Sequence, residues 1–442
     1  MKSGNGVHGA PSDNGNSNRH TGGALLKLLY PGIGIKRWLA LGSIGIAGWS
    51  VGIAYLSRRV FAVNFPEFLP GSYEGVLLVV VGIAVVVAAA VGLYRSIGPL
   101  ILGSENIDSL ARTIYTRRSR ERGPRIVAIG GGTGLSVLLR GLKTHTDNLT
   151  AIITVSDDGG SSGRLRRELG VLPPGDFRNC LVAMSERESV LTDLFQYRFD
   201  QGNGLKGHSF GNLFIVAMTS VTNSFEAALY ESSRVLAVHG QIVPATIANL
   251  TLSARLTDGQ TVFGESTITE RGGEIEQLFI DPPDAGASPW AVEAIEEAEV
   301  VVMGPGSLYT SILPNLLVSG ISQALRHTKA RKIYVCNVAT QEGETSGYAV
   351  SDHVEALQRH TFPTIANFVV ANNNPIELGT RFLGKPVLHD GRPLRHVKLA
   401  HGDLIDPEHP VRHDSDRLAA IIMDVYHGRR QEEGAARTPV TP

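Results

Sequence analysis

The sequence predicts an α/β fold: a parallel sheet with flanking helices and a small β-hairpin subdomain, preceded by two transmembrane helices. Three observations carry that prediction. Four short apolar runs, ending at Ile129, Val155, Met303 and Cys336, each pass into a loop of Gly, Ser, Thr, Asn or Asp. Segments of helical spacing separate them, which is the pattern of buried parallel strands joined by crossover helices. Between the second and third runs, Gln241–Ile280 turns to alternating apolar and polar residues around a tight Asp258-Gly259 turn, the mark of a β-hairpin. Ahead of all this lie two long stretches without a charged side chain.

Composition narrows the classes. The 442 residues have room for one large or two ordinary domains, and a net charge of −1 with 19% charged residues carries no bulk signature of nucleic-acid binding. Cys180 and Cys336 lie far apart with no C-x-x-C, so they read as reduced core thiols rather than a disulfide or a metal site. Residues 1–35 open on Gly, Asn and Ser with too little apolar surface to fold, and are expected to be a disordered tail. Residues 36–97 are expected to form the membrane hairpin. Trp38–Leu56 is nineteen uncharged residues and Gly75–Tyr94 is twenty, each matching the roughly 20 residues with which a helix crosses the hydrocarbon core. Trp38, Tyr55 and Tyr94 fall near the ends, where amphipathic rings prefer the interface. Two spans leave both chain ends on one side; Lys27, Lys36 and Arg37 before them and Arg95, Arg112, Arg117 and Arg118 after them favour the cytoplasm for that side. A basic linker, 98–123, leads to the α/β domain, 124–427, with its hairpin subdomain at 241–282, and a polar tail, 428–442, closes the chain.

The organising stretch is Arg125–Leu135, RIVAIGGGTGL. Ile126–Ile129 reads as a buried strand, and Leu135, Leu138, Leu139 and Leu142 have helical spacing, so the glycines form a strand-to-helix turn. Such a turn lets a ligand approach the backbone, and the free N–H groups of the new helix face phosphate oxygens. Gly131, Gly132, Thr133 and Gly134 are the candidates. Leu135 breaks the G-x-G-x-x-G spacing and no Lys-Ser/Thr pair follows, so neither the dinucleotide fingerprint nor a P-loop is present. In an open parallel sheet all four polar loops leave on the carboxyl edge, where ligands bind. There Gly306, Ser307 and Thr310 suit a second phosphate or a sugar at another helix start. Asp157 and Asp158 suit ribose hydroxyls, or Mg²⁺ held against a diphosphate, with an Asx turn as the rival role for one of them. Arg164 and Arg178 suit charge balance on a diphosphate, or surface ion pairs. Asn212 can read a base or sugar amide, and Tyr309 offers either a stacking face or ordinary packing. His208 reads as a hydrogen-bonded structural residue ahead of a general base. No G-x-S-x-G, no H-E-x-x-H and no Cys with a neighbouring base marks a nucleophile.

Taken together, IGGGTGLSVLLRGLK, TVSDDGGSSGRLR, PPGDFRN, GNGLKGHSFGN, GPGSLYTSILPNLL and CNVATQEGET resemble the CofD-like family, in particular its gluconeogenesis-factor (YvcK-like) branch. The resemblance runs from about Arg125 to His427. It implies a Rossmann-like domain. For the gluconeogenesis-factor branch it implies a non-catalytic binder of UDP-sugars, needed for cell shape and envelope synthesis on gluconeogenic carbon. For the transferase branch it implies an enzyme that moves a phospholactyl group from a guanosine diphosphate adduct to a deazaflavin with Mg²⁺. Envelope-synthesis enzymes and a second copy of the chain are the candidate protein partners. The sequence departs from the soluble members in its N-terminal hairpin, which implies a membrane location, and in having Ala339 and Glu342 where Met and a small polar residue or Pro are expected.

Overall fold

The computed structural model describes residues 35–61, 73–101, 118–186, 190–375 and 384–428. The expected tails and most of the basic linker lie outside them. The chain divides into two units, Met1–Ser119 and Arg120–Pro442.

In the first unit the two uncharged stretches are helices, α1 (Ile35–Phe61) and α2 (Tyr73–Ile101). They pack antiparallel through small residues. A Cβ added at Gly82 would lie 2.6 Å from the Trp49 backbone nitrogen, one at Gly45 would lie 2.9 Å from Val86 Cγ2, and one at Gly92 would meet the Trp38 ring. Close backbone approach of this kind is how helices pack without a polar seam. The outward faces stay apolar, with Ile44, Trp49, Val80 and Val87 exposed. Side chains are described for 38–54 and 76–92. Among the described residues no helix is long and apolar enough to cross a membrane, so the two spans expected from the sequence are not established by the structure.

The second unit is built on a seven-stranded sheet of order β10-β9-β8-β7-β1-β2-β3. Its strands are β1 (Ile126–Gly130), β2 (Leu149–Ile153), β3 (Gln241–Pro244), β7 (Val300–Met303), β8 (Arg331–Val335), β9 (Phe368–Asn372) and β10 (Lys398–Gly402), all paired in parallel. β1 is central and wholly buried, which is why its sequence is an unbroken apolar run. The helix after it, α3 (Gly132–Leu142), lays Leu135, Leu138, Leu139 and Leu142 into the core with no exposed surface. Each such side chain contributes roughly 1.5–3 kcal/mol on burial. After β2 come α4 (Gly160–Leu169), α5 (Gly175–Met184), α6 (Val190–Gln196), α7 (Phe210–Thr222) and α8 (Phe225–Val235).

The expected hairpin subdomain is a three-stranded antiparallel sheet, β5-β4-β6, of β4 (Thr251–Leu256), β5 (Thr261–Phe263) and β6 (Ile275–Asp281). It is smaller than 241–282. Gln241–Pro244 belongs to the main sheet, with Gln241 in register with Thr150, and Glu265–Arg271 forms a helix, α9, rather than a strand. Helices α10 (Pro289–Glu297), α11 (Leu313–Leu316), α12 (Ser319–His327), α13 (Val350–His360) and α14 (Ser415–Tyr426) complete the unit, with a π-helical turn at Leu308–Ile312.

Candidate functional site

The strand order runs outward from β1 through β2 to β3 on one side and from β7 through β10 on the other, so the winding reverses between β1 and β7. At such a switch point the loops leaving the carboxyl ends part and open a crevice. Gly131, Gly132, Thr133 and Gly134 leave β1 there, and Pro305, Gly306 and Ser307 leave β7. They line one cleft of about 550 Å³, with Asn337–Glu342 and Arg412-His413 on its other walls. Gly132 has φ +66°, a conformation that favours glycine, and a Cβ at Gly134 would lie 2.6 Å from Pro305 O. The extended Gly131 caps α3 without a side-chain bond, so the helix opens into the cleft by its backbone.

The loop after β8 splints the loop after β7. Asn337 Oδ1 accepts from the Gly306 N–H at 3.2 Å, and Asn337 Nδ2 donates to Gly306 O at 2.9 Å. Gln341 Nε2 donates to Ser307 Oγ at 2.7 Å. His413 is buried with Nε2 against Cys336 O at 3.1 Å, and burial pulls its pKa down to about 4, so its imidazole is neutral at physiological pH. Arg412 is the exposed cation on this wall.

Asp157 and Asp158 part ways. Asp157 Oδ1 accepts from the Gly159 N–H at 3.0 Å, an Asx turn, and burial raises its carboxyl above the usual range. Asp158 caps α9: Oδ2 accepts from the Glu265 N–H at 2.9 Å, and Oδ1 accepts from the Ser266 N–H at 2.9 Å and the Ser266 hydroxyl at 2.6 Å. Its carboxylate therefore anchors the β subdomain to the loop after β2. A third acid, Asp176 at the start of α5, reaches the Gly132 N–H, and burial with the charge of Asp157 pushes it up to about 6. Glu265 stands near both and is pushed up to about 8 by burial and the charges of Asp157 and Asp158.

The second helix start differs from expectation. Thr310 is buried and donates its hydroxyl to Glu344 Oε1 at 2.9 Å, while Thr269 donates to the same oxygen at 3.2 Å. The backbone N–H groups of Tyr309 and Thr310 also stabilise the Glu344 carboxylate, whose pKa burial raises. A carboxylate of the chain itself thus fills the position assigned to a second phosphate. Tyr309 has no exposed surface; its hydroxyl bonds Tyr348 at 2.9 Å and its ring meets His360 edge-on. It packs in the core and presents no stacking face.

Asn212, Arg178, Ser161 and His208 form one buried network. Ser209 caps α7 by accepting from the Asn212 N–H. Asn212 Nδ2 donates to Ser161 Oγ at 3.0 Å, Ser161 Oγ meets His208 Nδ1 at 2.9 Å, and Arg178 Nη1 donates to Asn212 Oδ1 at 3.2 Å. His208 has the structural partner expected of it. Arg164 donates to Lys206 O at 2.9 Å. None of Arg164, Arg178 and Asn212 lines the glycine cleft. The sequence reading gives no role to Asp176, Asn337, Gln341 or Glu344, although all four sit inside motifs it singles out; the signal was the presence of acids and amides in loops that the topology brings to one edge.

Fold and cleft together define a class: an open, doubly wound α/β protein with a glycine-lined crevice at its switch point. The chain belongs to the CofD family, whose profile, described as 2-phospho-L-lactate transferase CofD, matches residues 126–426. It is similar to the gluconeogenesis factor of Bacillus subtilis, 45% identical over 310 residues that cover 68% of this chain and 98% of that one. The gluconeogenesis factor of Halalkalibacterium halodurans is 45% identical over 307 residues, covering 68% and 95%. A relative from Nostoc sp. is 42% identical over 431 residues, covering 91% of this chain and 92% of its own, so that match extends into the N-terminal unit. A crystal structure of a Bacillus halodurans protein aligns with TM-score 0.66 at 46% identity, covering 68% of this chain and 100% of its own.

Proposed function

We propose that this chain is a membrane-anchored regulator that binds a nucleotide-sugar, a UDP-sugar, in the switch-point cleft and governs envelope precursor supply and cell shape during gluconeogenic growth. The observation that carries the reading is the cleft itself: Gly131–Gly134 at the start of α3 line it, with the Gly132 N–H turned to Asp176, beside a loop of small residues from β7. That is a site for the diphosphate of a nucleotide. Chemistry by nucleophile has little support there. Cys180 and Cys336 are buried thiols with pKa values pushed well up by burial, and the His413 imidazole is committed to a carbonyl. The names of the Bacillus subtilis and Halalkalibacterium relatives support the gluconeogenic context. The apolar outer faces of α1 and α2 support membrane attachment, and the flanking basic residues support a cytoplasmic α/β unit.

The acids favour a second reading, a phospholactyl-type transferase. Burial raises the cost of ionising both Asp157 and Asp176, and the charge of Asp157 raises that of Asp176 further, a cost that a cation relieves. Mg²⁺ needs only one or two carboxylates when phosphate oxygens complete its shell. Asp157 and Asp176 would hold it, and it would neutralise charge on a transferring phosphoryl group. Asp158 is occupied by α9. Among the described residues no cluster of three or more His, Cys, Asp or Glu is arranged for a metal.

Calorimetric titration of the detergent-solubilised full chain with UDP-N-acetylglucosamine and with GDP, each with and without Mg²⁺, separates the readings. Preference for the uridine ligand is expected. A guanosine preference that requires Mg²⁺ and disappears in Asp157→Ala selects the transferase, and no binding of either nucleotide at millimolar concentration removes both.

A further inference from the structure

Three guanidinium groups surround the loop Lys206–Ser209. Arg164 Nη2 donates to Lys206 O at 2.9 Å, Arg198 Nη1 donates to Gly207 O at 2.6 Å, and Arg178 Nη1 donates to Ser209 Oγ at 2.5 Å. Arg198 also pairs through its backbone with Ser209, so Arg178 and Arg198 meet at that residue. Every acceptor these three groups have is neutral: backbone carbonyls, a hydroxyl, and the side-chain oxygens of Asn179 and Asn212. Among the described residues none of the three forms an ion pair.

Arg178 makes that unusual. It is 9% exposed, and its Nε is buried with no partner. A buried charge is ordinarily paired, because desolvation without a counter-charge is costly. Asp157 and Asp176 offset part of its charge from a distance, while Arg198 adds to it. The rest of the surroundings is rich in donors: the His208 imidazole, and Asn212, whose amide keeps a second N–H after the bond to Ser161. What the cluster lacks is an oxyanion, which an arginine fork grips with two parallel bonds.

We propose that Arg164, Arg178 and Arg198 form an anion subsite, separate from the glycine cleft, that takes a phosphoryl or carboxylate group carried either by the distal end of the nucleotide ligand or by a second small molecule. The link to a nucleotide rests on the cleft reading above; the subsite itself does not.

The test is calorimetry on the full chain with three probes: inorganic phosphate, UDP-glucose and UDP-glucuronate, the last two differing only by one carboxylate. Arg198→Gln is the main variant because its side chain is exposed, and Arg178→Gln is the second, with thermal unfolding to check each fold. Phosphate binding is expected to weaken by about tenfold in Arg198→Gln, as loss of a charge-assisted bond implies. Phosphate that still binds beside saturating UDP-glucose identifies a second small molecule as the source. UDP-glucuronate that binds tighter than UDP-glucose and excludes phosphate identifies the ligand's own carboxylate. Phosphate affinity unchanged in both folded variants, or neither phosphate binding nor a preference for the glucuronate, overturns the subsite. If neither nucleotide binds, the cleft reading fails while the phosphate arm still decides this one.

Discussion

Two neighbouring strands of this sheet end in the same motif, a glycine-rich turn opening a helix, and the two helix starts have different fates. At β1 the start of α3 opens into a cleft although its Gly132 N–H is turned to Asp176, a carboxyl that holds its proton up to a pH of about 6. At β7 the start of the turn Leu308–Ile312 is sealed by Glu344, 3% exposed and tied to two threonine hydroxyls. A helix start remains an anion site only through the N–H groups that no side chain of the protein takes. The difference lies in a residue of a third loop, far away in sequence, and local pattern alone does not reveal it.

The comparison can be broken first at the open end. Gly134→Ala places a methyl group against the backbone of Pro305 and Gly306. Forcing the two loops apart is expected to weaken nucleotide binding by roughly two orders of magnitude, ~3 kcal/mol, measured by calorimetry. At the sealed end, Glu344→Ala strands the hydroxyls of Thr310 and Thr269 and is expected to lower unfolding stability by about 2 kcal/mol in urea titration, with nucleotide affinity little changed. Asp158→Asn weakens the cap of α9 and should cost ~1 kcal/mol of stability without altering Mg²⁺ dependence. Asp157→Asn should do the reverse, since the raised pKa of Asp157 means its ionised form is no asset to the fold.

The smallest expected effect is on pH. The folded Asp176 carboxyl titrates at about 6 against an ordinary value of 3.8, so the unfolded chain releases this proton first as pH rises. Its contribution to stability is therefore full below 3.8 and is lost as pH rises to about 6. In metal-free buffer anion binding in the cleft should likewise weaken by a few-fold across about pH 6, and Asp176→Asn should flatten that slope in a pH series of titrations.

Much of the architecture was legible in the sequence. The apolar runs at Ile126, Ala151, Val300 and Ile333 mark strands because both faces of an interior parallel strand are buried, which keeps charged residues out of the run. Edge strands carry less signal: Lys398–Gly402 mixes Lys, His and Gly with two apolar residues, and Gln241–Pro244 lies beside alternating sequence that drew it into the wrong sheet. Within the site, the glycine turn was legible because its φ and close contacts demand glycine. The burial of Tyr309, the capping role of Asp158 and the seal by Glu344 were not, because each depends on a partner more than thirty residues distant that only the closed fold brings near.

Hydrogen–deuterium exchange of the full chain with and without saturating UDP-N-acetylglucosamine tests the central claim most directly. Protection of the first turn of α3, Gly131–Val137, with the facing loops Pro305–Ser307 and Arg412-His413, is the result predicted. Protection confined to Leu308–Ile312, or absent from the switch-point cleft while the ligand is bound, would contradict it.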